Sequence, residues 1–181
     1  MIDPGVSKII TAVALPNRQE LLWGIILLTL YTAIALPLGF ATGLLKWQPV
    51  TSVYLALKIS ATSLIAPALP EEIVFRVLLF PLPTQDLEEL PVVSAIASIL
   101  VFVIYHPVNA LCFFPQGRWL FCKPIFLLLA GLLGLVCTVS YWQSASLWLP
   151  VGIHWLAVTV WLTAFGGYSL LYRKDANNLK A

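Results

Sequence analysis

Charge is what this sequence has least of. Of its 181 residues only 10% are Asp, Glu, Lys or Arg, while 60% are hydrophobic; soluble domains carry about 25% charged residues. Mean hydropathy is +0.93. A soluble fold of this length could not cover so much apolar surface, which excludes a soluble enzyme and a disordered regulator. Ten basic against eight acidic residues leave a formal charge of +2, too little for a polyanionic partner, so no nucleic acid is expected. The composition is that of an integral membrane protein.

Cysteine is also scarce. The three residues Cys112, Cys122 and Cys137 are odd in number, form no CxxC and have no zinc-ligand spacing, which leaves them as idle thiols. The first long apolar run starts at Leu21 without the short h-region or A-x-A site of a signal peptide, so it is expected to stay as a membrane span. HExxH, GxSxG and a Gly-rich phosphate loop are all missing, which removes the common zincin, α/β-hydrolase and nucleotide readings.

What the chain does have is long apolar runs of about the 20 residues that a crossing helix needs. Residues 21–45 carry no charge, and Pro37 near their end predicts a kink. Residues 53–80 form a second region, unusual for holding Lys58, Glu71, Glu72 and Arg76. Residues 90–117 contain His106 and Pro107 but no formal charge, and residues 124–172 are long enough for two crossings around the polar turn Gln143–Ser146. The expected fold is an all-α, polytopic membrane helix bundle of about five spans, or six if Pro67 and Pro70 split the second region. One membrane domain, residues 1–181, fills the chain. Ala130 and Gly134, beside Gly131, suit close helix packing. Trp23, Trp47, Trp142, Trp148 and Tyr172 fall near span ends as an interfacial belt would. With five spans, Lys46, Arg118, Lys123, Arg173, Lys174 and Lys180 lie on one side and Lys8 and Arg18 on the other, which predicts a cytoplasmic C-terminus.

Ionisable groups inside spans are costly and point to function. Lys58 is placed to snorkel from near a span end. Glu72 and Arg76, four apart with the acid first, make a favourable helical pair, while Glu71 is rotated by about 100° and stays available. Phe102 and His106 share a helix face, and His154 sits some way into the last span. Glu71, His106 and His154 can reach a common depth on different helices. Such a set can activate water for attack on a carbonyl, either directly or through a metal held by Glu71, His106 and His154, since two histidines and a glutamate form a known zinc arrangement.

Three ordered motifs carry a resemblance: Glu71-Glu72-Ile73-Val74-Phe75-Arg76, then Phe102-Val103-Ile104-Tyr105-His106, then His154-Trp155-Leu156-Ala157-Val158, with Ser146-Leu147-Trp148-Leu149-Pro150 just ahead of the last. The chain resembles the CPBP family of CAAX-protease and bacteriocin-processing membrane proteins, also called Abi, and is similar to its type II CAAX prenyl endopeptidases. The likeness covers residues 53–172. It implies a helical intramembrane protease with Glu71 as general base, Glu72 and Arg76 holding its helix, and His106 and His154 orienting water or stabilising the oxyanion. Both a divalent metal such as Zn2+ and a metal-free glutamate mechanism have been argued for the family. A membrane-associated peptide or protein is the implied substrate, met within the lipid bilayer.

One position departs from that pattern. The family's Asn or Asp after the second histidine is Val158 here, which offers no hydrogen bond, and the nearest substitute in the sequence is Asn109, three residues past His106. Val77 also stands where the family usually has Gly. The rival readings are a catalytically impaired member that binds another membrane protein, as in immunity or assembly, and a proton-coupled transporter, which the absence of a repeat disfavours.

Overall fold

In hydrocarbon a single chain segment can satisfy its own backbone groups only as helix, and long apolar runs predict little else. The computed structural model describes residues 4–81 and 91–172. Among them the regular structure is helical apart from one isolated bridge between Gln48 and Phe165. The helices are α1 (Pro4–Val13), α2 (Arg18–Ala41), α3 (Val53–Ser63), α4 (Leu69–Glu72), α5 (Val92–Cys112), α6 (Arg118–Phe121), α7 (Pro124–Ser144), α8 (Trp148–Ala164) and α9 (Gly167–Tyr172).

Four stretches are long and apolar enough to cross a membrane: Arg18–Ala41, Val53–Leu78, Val92–Cys112 and Pro124–Ser144. The fifth expected span, α8, has only 17 residues. A sixth does not form, because the break at Ala66 leaves two pieces of Val53–Leu78, each well short of the about 20 residues of a crossing helix. Ala66 leaves the helical region (φ −155°, ψ 116°), as a residue ahead of proline is pushed to do. The helix restarts at Leu69 with Pro70 in its first turn, where a missing N–H costs nothing. It then continues through a wider, π-helical turn, Ile73–Leu78.

Helix α7 lies at the centre, against α2, α5 and α8. Its small residues allow the close approach to α5: a Cβ on Gly134 would meet Phe102 Cδ1 at 3.0 Å, and one on Gly131 would meet Val103 at 3.3 Å. The outward faces of α2, α3 and α5 are apolar and exposed. Trp23, Trp47, Trp148 and Tyr172 are exposed too, whereas Trp142 packs half-buried against a core cluster. Lys58 is exposed. All three cysteines are free, Cys137 buried and Cys112 and Cys122 exposed.

Each end of the bundle is tied together by backbone. At one end the turn after α7, with Ala145 in the left-handed region (φ 51°), grips α1: Ser146 Oγ donates to Ala14 O, Leu147 N to Ala12 O and Trp148 Nε1 to Val13 O. Lys8 Nζ of α1 donates to Phe80 O beyond the second span. At the other end the connection from α2 to α3 runs along the end of α8, with Lys46 N, Gln48 N and Val50 N donating to the carbonyls of Phe165, Ala164 and Thr163. Lys46 and the loop that carries Arg118 and Lys123 gather at this second end, where Phe114 meets Tyr172. Arg173, Lys174 and Lys180 lie outside the described residues.

Candidate active site

The break at Ala66 decides where the acids sit. Because the helix restarts at Leu69, Glu71 and Glu72 occupy its first turn. Glu72, Arg76, Phe102 and His154 are fully or almost fully buried, and Glu71 is 7% exposed.

Glu72 holds two partners. Its Oε2 lies 3.0 Å from Arg76 Nε, as the helical spacing predicts, and its Oε1 accepts a 2.7 Å hydrogen bond from Nδ1 of His154 on α8. Arg76 is fixed further by Nη2 donating to Gly134 O at 2.9 Å and by the Phe102 ring, 4.8 Å from its guanidinium carbon. Three spans and the shorter α8 therefore meet at this knot: the second span through Glu72 and Arg76, α5 through Phe102, α7 through Gly134 and α8 through His154. The bond from Glu72 to His154 is not anticipated by the sequence reading, which gave Glu72 to Arg76 alone.

Glu71 stays apart from that knot. Its Oε2 is buried, has no hydrogen-bond partner among the described residues and stands 3.8 Å from Nε2 of His154. His106 reaches the same place from α5. Its Nδ1 donates to Phe102 O at 2.8 Å; a carbonyl can only accept, so in the neutral ring Nε2 carries a free lone pair. Phe102 braces both imidazoles, with ring centroids 4.8 Å from His106 and 5.9 Å from His154.

Glu71, His106 and His154 line one cavity of about 810 Å³. Its wall is mostly apolar and extends past Phe121 and Phe126 to Leu45, Phe114 and Tyr172, so it reaches toward the basic end of the bundle. Asn109 and Val158 line it as well; Val158 also packs on a core cluster with Leu129 and Leu162. A zinc centre would need at least three donors closing to about 2 Å on one point. Among the described residues no three His, Cys, Asp or Glu side chains come together in that way, so Glu71, His106 and His154 as arranged do not fit a metal ion.

Residues 52–160 match the family described as type II CAAX prenyl endopeptidase, Rce1-like. The chain belongs to this family. It is accordingly an integral, multi-pass membrane protein of a CAAX-type protease family. The match to the Rce1-like family spans α3 to α8 and every candidate site residue, and leaves α1, α2 and α9 outside it. No curated protein and no solved structure matches the chain.

Proposed function

We propose that the chain is an intramembrane endopeptidase in which Glu71 activates a water that attacks a peptide bond near the membrane surface. The observation that carries this is the meeting of Glu71, with an unpartnered carboxylate oxygen, and the two histidines at the wall of one cavity. A carboxylate oxygen that accepts no hydrogen bond among the described residues is free to take a proton from water. The hydroxide oxygen then adds to the carbonyl carbon while the C=O pair moves onto oxygen. As the C–N bond breaks, the proton held by Glu71 passes to the leaving amine. His106 orients the water through its bare Nε2. His154, anchored through Nδ1 by Glu72, presents Nε2 to the cavity and in its protonated form donates there. Asn109 supplies an amide donor on the same wall. The substrate is a membrane-associated peptide or protein, and CAAX-type prenylated chains are the family's suggestion for it.

The test uses the full chain in liposomes with two internally quenched CAAX-type peptides, one prenylated and one not. Wild type is expected to cleave at least one of them, and Glu71→Gln to lose about a hundred- to ten-thousandfold in rate. Equal rates for the two proteins would remove Glu71 from the chemistry.

Val158 favours a second reading, a non-catalytic member that binds another membrane protein. Failure of wild type to cleave either peptide, with Glu71→Gln leaving the cellular role intact, would select it.

A further inference from the structure

An oxyanion forming in an apolar cavity needs hydrogen-bond donors already aimed at it. Val158 lines the cavity and has none to give. Helix α5 presents Phe102, Tyr105, His106, Asn109 and Phe113 to the same space, and among these Tyr105 stands out. Its ring is held between Phe75 and His106, at centroid distances of 5.5 and 5.9 Å. Its hydroxyl makes no hydrogen bond among the described residues. A half-buried phenol on the cavity wall can donate to a group that enters the cavity.

The register of α5 places Tyr105 against the segment that carries the acid. Ser98 Oγ donates to Phe75 O at 2.8 Å, which fixes α5 against the segment that carries Glu71 one helical turn before Phe75. Tyr105 packs on the Phe75 ring, its side chain leaning toward the start of α5 as helical side chains do. Tyr105 and Glu71 line the same cavity. Asn109 lies a further turn along α5, about 6 Å away in rise.

We propose that Tyr105 is a catalytic residue of this site: its phenol O–H donates a hydrogen bond to the carbonyl oxygen of the scissile bond as negative charge develops there. This rests on the hydrolytic reading above. The proton stays on Tyr105 throughout; only the hydrogen bond strengthens as the C=O pair moves onto oxygen, and it weakens again when the C–N bond breaks and the carbonyl reforms. Tyr105 thus does on α5 what the residue at 158 cannot do on α8.

Tyr105→Phe keeps the ring and its packing and removes only the donor. The full chain in liposomes, cleaving the quenched prenylated CAAX-type peptide, is expected to lose about a hundredfold in kcat with KM little changed. A phosphinate analogue of the same peptide, which mimics the tetrahedral oxyanion, is expected to bind the variant more weakly by a comparable factor. Wild-type kcat in Tyr105→Phe, or equal phosphinate affinity, overturns the proposal. If Glu71→Gln is inactive and Tyr105→Phe is not, only the role of Tyr105 falls. If Glu71→Gln also cleaves normally, or wild type cleaves nothing, the hydrolytic reading falls and this inference with it.

Discussion

Glu72 and His154 are separated by 82 positions in the chain, yet Nδ1 of the histidine donates to Glu72 Oε1 at 2.7 Å. Because Glu72 is also the counter-charge of Arg76, one carboxylate joins the second span to the last. Glu72→Ala would leave a guanidinium with 0% exposure and no opposing charge, a change that costs about 3–5 kcal/mol in buried pairs. A clear fall in Tm in detergent is expected. Glu72→Gln keeps an acceptor for His154 and should lose less. An unchanged Tm for the alanine variant would show that the knot does not hold the fold.

A second prediction concerns the closeness of α5 and α7. A Cβ at Gly134 would lie 3.0 Å from Phe102 Cδ1 and 3.5 Å from Arg76 Nη2, and both groups are buried. Gly134→Val is expected to destabilise by about 1–3 kcal/mol, read as a shift of the unfolding midpoint in a denaturing-detergent titration, with Gly134→Ala closer to wild type. A valine variant with the wild-type midpoint would mean that the helices part freely.

The third addresses the donors around the cavity. Val158→Asn places an amide on α8 one turn beyond His154 and is expected to raise kcat on a quenched CAAX-type peptide. Asn109→Ala is expected to lower it while the protein keeps its Tm. No response to either substitution would mean that neither position faces the reacting carbonyl.

The fourth is topological. By the positive-inside tendency the end of the bundle that carries Lys46, Arg118 and Lys123 is expected to face the cytoplasm, and Tyr172 of α9 lies at the same end. A tag after Ala181 is expected to be labelled only after the cytoplasmic face is opened. Labelling of intact cells from outside would reverse the orientation.

How legible these features were in the sequence depends on the range of the interaction behind them. The first span and the turn after α7 follow from local composition, because uncharged runs bounded by polar residues leave few alternatives. The pairing of Glu72 with Arg76 follows from helical spacing. The bond from Glu72 to His154 does not, since it depends on how α8 packs beside the second span. Pro67 and Pro70 announce a break, yet only the bundle decides whether the two halves continue one crossing. An aromatic residue such as Tyr105 in an apolar run reads as core, and its position next to His106 is the one signal that sets it apart. Helix α1 leaves little trace in the sequence because its ten residues are too few to span.

The seam between the α2–α3 connection and the end of α8 bears on how the cavity can admit a chain. Three successive backbone hydrogen bonds stitch residues 46, 48 and 50 to residues 163–165, so that rim cannot part without breaking all of them together. Near Phe114 and Tyr172 the packing is instead between side chains, a ring contact with centroids 6.1 Å apart and an apolar cluster that includes Leu120 and Leu171. Side chains repack one rotamer at a time, whereas a row of backbone bonds yields only as a whole, so the stitched edge is the stiffer boundary to any chain that enters.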